Sequence, residues 1–291
     1  MQRPMLPAAV FAVLGAGALL SQHQAVAQTI RYVDNIRTCD DLGPCYPKIM
    51  DAISAAEPSD TIEVFPGVYH EAVVFKSGPA NIVLKAHIEA LKPVIAPPGG
   101  QDAVYIEATP GVQLRNFVLE APDANAVFAV AGASRGLVLD GNLITATYAF
   151  RAIAIPECTV TNNTVLSGAI HGDLVGCLIE GNTIAGYINL IEFFLHPAVN
   201  TVRHNIFRGG GISINSRSAN SNTIESNFVS GGGGIQVNTF GPCPGCSSNL
   251  IQGNTSIENG GCDIGETNPN PGVHSTWRNN RFGTKCGTAD G

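Results

Sequence analysis

The sequence predicts an all-β protein, a single-stranded parallel β-helix (solenoid) of roughly nine or ten coils with a short N-terminal capping helix. Three observations carry this. A six-residue word ending in Asn recurs along most of the chain. Apolar residues alternate with polar ones through each word and beyond it, the period of a half-buried strand. The composition suits short strands and tight turns: the 291 residues include 33 Gly, only 13% are charged, and the 23 Asn equal all Asp and Glu together. Coiled coils and helical bundles need abundant Glu, Lys and Leu and are excluded. A hydrophobic content of 44% excludes disorder. A formal net charge of −7 speaks against a basic nucleic-acid-binding protein.

The first 27 residues read as a secretory signal peptide. Arg3 gives the positive start, Ala8 to Leu20 the apolar run, and Ala25-Val26-Ala27 the cleavage site before Gln28. The run is shorter than the ~20 residues a spanning helix needs, so no integral membrane segment is expected after cleavage. A secreted or periplasmic location follows. All eight cysteines come later, an even number that suggests disulfides in an exported chain. Cys39 and Cys45 would close a small loop, and Cys262 with Cys286 would staple the last coil. Cys243-Pro-Gly-Cys246 has a redox-like spacing and could be half of a zinc site. A structural bridge is the preferred reading, and cross-pairing among these last four cysteines stays open.

A short helix comes next. Ile49, Ala52, Ile53 and Ala56 lie at i, i+3, i+4 and i+7 and form one face. Pro58 stops it. Thr61 to Phe65 alternates as a strand, and Pro66-Gly67 turns the chain.

The repeated word appears as CTVTNN (158–163), CLIEGN (177–182), NTVRHN (200–205), NTIESN (222–227), NLIQGN (249–254) and STWRNN (275–280), with looser copies at 137–142 and 114–116. Its closing residues are Asn116, Asn142, Asn163, Asn182, Asn205, Asn227, Asn254 and Asn280, spaced by 26, 21, 19, 23, 22, 27 and 26. The third residue is usually apolar, as is the second residue after the Asn; Ser256 is the exception. A unit this short cannot bury its own face, but stacked units can. Successive strands would sit roughly 4.8 Å apart, in parallel. The Asn side chains would then stack and hydrogen-bond, each at a bend that tolerates left-handed φ. Cys158 and Cys177 share the first position of adjacent words, close enough for a disulfide or for two stacked buried thiols. Asn200, Asn222 and Asn249 continue that column as a second stack.

These repeats, covering roughly residues 60–283, resemble the right-handed parallel β-helix of the pectate-lyase-like superfamily with its asparagine ladder. The handedness comes from the resemblance. The pattern A-I-x-A-A…D-T-I-x-V-x-P-G-x-Y-x-E near the start is similar to the opening of pectin methylesterases, and implies that the helix within residues 28–59 caps the open end. Residues 284–291 form a tail. The resemblance also implies glycan binding along a lateral groove.

Candidate site residues should point outward from the strand after each Asn bend and align across coils. If Ile170, Ile212, Ile214, Ile235 and Val237 face in, then His171, Asp173, Ser213, Asn215, Arg217, Gln236 and Asn238 face out. Arg151 joins them one coil earlier. The apolar run INLIEFF leaves the face of Glu192 ambiguous. Arg151, His171, Asp173, Glu192 and Arg217 form the catalytic shortlist. A lyase needs a base and a cation that neutralises the uronate carboxylate, which His and Arg supply. An inverting glycosidase needs two carboxyls roughly 6.5–9.5 Å apart, a role for Asp173 and Glu192. An epimerase needs an acid and a base on opposite sides of the sugar. Tyr148 and Tyr187 could stack on sugars beside Ser213, Asn215, Gln236 and Asn238.

No local motif of the lyases, methylesterases, galacturonases or mannuronan epimerases appears. No D-x-D-x-D-G loop is present, so no cofactor or metal is expected, calcium being possible but not signalled. The competing functions are an exported polysaccharide-acting protein and a non-catalytic surface or periplasmic β-helix, with a metal-delivery protein ranked last. A polysaccharide is the expected partner.

Overall fold

The computed structural model describes residues 28–36, 38–130, 134–191, 199–216, 221–239, 248–267 and 274–287. The predicted leader, Glu192, Arg217 and the Cys243–Cys246 turn lie outside the described residues. Within them the chain winds as a parallel β-solenoid of about nine turns, almost without helix.

One face is a twelve-stranded sheet, every pair parallel. The repeated words supply its later strands, among them Thr159–Thr161, Leu178–Glu180, Thr201–Arg203 and Thr223–Glu225. Their third residues stack in register: Val160, Ile179, Val202, Ile224, Ile251 and Trp277. All six are buried, each contributing roughly 1.5–3 kcal/mol over an exposed side chain. Past the bend, Val165, Ile184, Phe207 and Val229 fill the interior from a second set of strands. Ser256 breaks the apolar pattern without breaking burial, because its hydroxyl bonds to the Asp263 carbonyl.

The asparagine ladder runs unbroken from Asn142 to Asn280. At each step the backbone N–H and the side-chain amide of one Asn donate to the Oδ1 of the next, as from Asn163 to Asn182 (2.9 Å each) and from Asn205 to Asn227 (3.0 Å each). The amide also reaches back to a strand carbonyl one coil behind, Ile179 in the case of Asn205. This settles buried polar groups that would otherwise each cost about 1–3 kcal/mol.

Two expectations about the bend are corrected. The left-handed residue is the one before each ladder Asn: Gly141, Asn162, Gly181, His204, Ser226, Gly253 and Asn279 have φ between +54° and +68°. Asn116 belongs to that set, with φ 63°, and not to the ladder. Pairing of Leu114 with Leu139 sets Asn116 beside Gly141, so Phe117 takes the ladder position and its N–H donates to Asn142. The shortened word had hidden this offset of one residue.

The second stack also forms. Asn200 donates to Asn222, and Asn222 to Asn249, which ends on the Ser275 hydroxyl. Cys158 and Cys177 form a disulfide, with Cα atoms 4.4 Å apart. They replace this ladder by a covalent link, and the Cys158 N–H even donates to the Cys177 sulfur where an Asn oxygen would sit. Changing Cys158→Asn together with Cys177→Asn should therefore extend the ladder. The double Asn variant should unfold close to wild type, while the double Ala variant should lose about 2–4 kcal/mol. Equal denaturant midpoints for the two double variants would contradict this. Cys39–Cys45 and Cys262–Cys286 are bridged as well.

The predicted helix spans Ile49–Ser54 and buries Ile49, Ala52 and Ile53. Its first N–H groups, on Ile49 and Met50, donate to the Glu71 carboxylate (2.9 and 3.1 Å), which satisfies two donors every helix start leaves open. Asp60 is buried and holds the N–H groups of Thr29 and Glu57 and the Arg31 side chain. Two acids of the N-terminal pattern thus have structural work.

The outer side of the twelve-stranded sheet is a column of ion pairs. Glu63 holds Lys85 and His87, and Glu180 holds Arg203. Such pairs at the protein surface contribute about 0–1 kcal/mol each.

Candidate functional site

A different face carries the strands Ile170–Val175, Ile188–Ile191, Gly211–Ser216 and Gly234–Thr239, preceded by the long strands Val118–Val130 and Leu143–Pro156. Period-two burial holds here: Ile170, Ile188, Leu190, Ile212, Ile214, Ile235 and Val237 are inside. Strand register sets Tyr105, Phe128, Arg151, His171, Asn189, Ser213 and Gln236 in one outward column.

The centre of the column is a chain of rings and one cation. The Arg151 guanidinium lies 5.2 Å from the Phe128 ring centroid and 5.7 Å from that of Tyr148. Tyr105 meets Phe128 edge to face, and Tyr148 lies 5.2 Å from the His171 ring. Contacts of this kind hold a cation by about 0.5–2 kcal/mol without neutralising it. Arg151 is exposed and makes no ion pair among the described residues. It is a positioned and available positive charge.

His171 is half-buried, and its Nδ1 has no hydrogen-bond partner among the described residues. Burial, and then the positive charge of Arg151, push its pKa below the usual imidazole value. The ring is neutral at pH 7 and able to accept a proton. The unfolded chain takes up a proton at His171 at higher pH than the folded one. Folding stability should therefore fall as pH drops from about 6.5 towards the lowered value, and level off below it. His171→Asn should remove that part of the fall in a series of unfolding curves; an unchanged pH profile would count against the environment described.

Asp173 differs from the rest of the predicted set in burial: it is only 4% exposed. Beside it Gly172, with φ +144°, packs its backbone so tightly on Ala152 that any Cβ would strike the Ala152 carbonyl. The pairing skips a residue between Ala152 and Ile155, and Gly172, Asp173 and Leu174 are all buried in succession. The extra residue of this bulge belongs to the strand of Ala152, where Ile153 and Ala154 stand opposite Asp173 alone.

Further along, the column loses its charge. The Asn215 amide donates to the Asn189 oxygen (2.6 Å) and to the Ser213 hydroxyl (2.9 Å), and Asn238 donates to Asn215 (3.0 Å). Gln236 donates to the Cys262 carbonyl. Tyr187, 45% exposed, stands beside an open depression of about 430 Å³ shared with Asn189, Ser213 and Gln236. Its floor is glycine. A Cβ on Gly186 would overlap the Gly168 carbonyl, and one on Gly210 the Gly186 carbonyl, so these coils meet backbone to backbone.

The structure thus brings together Arg151, His171 and Tyr148, and separately Tyr187, Ser213, Asn215, Gln236 and Asn238. Tyr105, Phe128 and Asn189 went unseen in the sequence. Stepping one strand register from Arg151 or His171 would have found Phe128 and Asn189. Among the described residues no group of three or more His, Cys, Asp or Glu is arranged to hold a metal ion.

The fold is a right-handed parallel β-helix. No family model and no curated protein sequence matches the chain. Solved structures do. An alginate lyase from Paenibacillus sp. str. FPU-7 is 14% identical with a TM-score of 0.51, over 84% of this chain and 96% of that one. A lacto-N-biosidase from Eubacterium ramulus is 10% identical with a TM-score of 0.51, over 88% and 68%. The A-module of a mannuronan C-5 epimerase from Azotobacter vinelandii is 15% identical with a TM-score of 0.50, over 83% and 94%. At such identities the likeness is one of fold.

Proposed function

We propose that this is an exported protein that binds an acidic polysaccharide along its Arg151 face and cleaves it by lyase-type elimination. The observation that carries the reading is the pairing of Arg151, an available guanidinium, with His171, a neutral imidazole one strand spacing away. Arg151 would grip a uronate carboxylate, which makes the adjacent ring proton more acidic. His171 would take that proton as base. The electron pair left behind forms the ring double bond, the neighbouring glycosidic C–O bond breaks, and the departing oxygen takes up a proton. The leader reading and the disulfides support export. That the three similar structures are named for enzymes of glycans agrees with this reading.

One second reading has an observation in its favour: no described carboxylate stands with His171 in its column, as suits a purely binding face. Incubation with a panel of uronate polymers separates the two. A rise in unsaturated-uronate absorbance on one polymer supports elimination. Binding without absorbance supports the second reading, and absence of both overturns the proposal.

A further inference from the structure

We infer that the polysaccharide is a heteropolymer, in which an isolated uronate at Arg151 is followed by a run of neutral sugars lying over the Tyr187 depression. This rests on the acidic-polysaccharide reading and adds the sugar sequence. It starts from the change in chemistry along the column. Towards the C-terminal end, Arg151 and His171 give way to Asn189, Ser213 and Gln236. No described residue lining the depression is charged. Ser213 is three strand spacings from Arg151, about 14 Å.

The hydrogen bonds already made decide what is left for a ligand. Asn189 has spent its oxygen on Asn215, which leaves its amide N–H groups. Ser213 accepts from Asn215, which leaves its hydroxyl proton. Gln236 has spent its amide on the Cys262 carbonyl, which leaves its oxygen as an acceptor. The depression therefore offers both donors and acceptors. Sugar hydroxyls use both, whereas a carboxylate can only accept and would face the Gln236 oxygen unpaired. The exposed Tyr187 ring offers an apolar platform for the C–H face of a pyranose. A homouronan would instead bring one carboxylate after another over a depression without a charged residue among its described lining, on a protein with a net charge of −7.

Two probes of similar length test this by calorimetric titration: an oligosaccharide of deacylated gellan, whose glucuronates are separated by neutral sugars, and an oligogalacturonate. The gellan fragment should bind at least about tenfold more tightly. Tyr187→Ala should weaken the gellan fragment about tenfold and the oligogalacturonate less than twofold, while Arg151→Ala should weaken both. Equal or tighter binding of oligogalacturonate, or an equal effect of Tyr187→Ala on both probes, overturns the inference and leaves the acidic-polysaccharide reading intact if binding still depends on Arg151. No binding of either probe, or binding indifferent to Arg151→Ala, overturns both. Near-wild-type thermal unfolding of Tyr187→Ala confirms that the variant is folded.

Discussion

Asn205→Leu is expected to destabilise the folded protein by about 3–6 kcal/mol, from two or three buried polar groups that each cost about 1–3 kcal/mol when unpaired. The side chain is 1% exposed. Its oxygen accepts the backbone N–H and the side-chain amide of Asn182, and its own amide donates to the carbonyls of Ile179 and Arg203 and to the Asn227 oxygen. Leucine has nearly the right volume but leaves the Asn182 N–H and the Ile179 carbonyl without these partners. Against a typical total of 5–15 kcal/mol this is a large fraction. The same change at Asn280, where the ladder ends and the residue is half-buried, should cost less. Urea unfolding of both variants measures the difference. Equal costs at the two positions would mean that the ladder is not what couples the coils.

The second large effect concerns chemistry. His171→Gln should slow formation of unsaturated uronate by about 10²–10⁴-fold, the usual contribution of a positioned base. Binding should change little, because the carboxylate is held by Arg151. Arg151→Ala should lose binding as well, by about 10- to 100-fold, since a hydrogen bond to a charged group is worth about 1.5–3 kcal/mol. Phe128 and Tyr148 would remain to pack against sugar, so some affinity for neutral glycans should survive. Equilibrium binding and initial rates on the same polymer distinguish the two residues. A His171→Gln variant with wild-type rate would remove His171 from the mechanism.

The solenoid was legible because its determinants are periodic. A buried side chain every second residue and an Asn at every bend are one-dimensional signals, and a repeat prints them many times over. Where the signal was local, reading went astray. Asn116 looked like a ladder member because its word is short, and only pairing with the next coil shows that Phe117 holds that place. Asp173 looked solvent-exposed because alternation gives a face and not what covers it, and its burial is visible only in three dimensions. Half of the site was legible for the same reason as the fold: His171, Ser213 and Gln236 follow strand alternation. The other half depends on neighbours across coils. Arg151 gains its role from Phe128, a residue 23 positions earlier in the chain and directly beside it in the sheet.

A crystal structure of the protein with a uronate-containing oligosaccharide bound tests the central claim most directly. The account predicts sugar density along the Tyr105 to Gln236 column, with a carboxylate in hydrogen-bonding contact with the Arg151 guanidinium and the chain continuing past His171 towards Tyr187. Density on the ion-paired face of Glu63 and Glu180, or a carboxylate remote from Arg151, would contradict it.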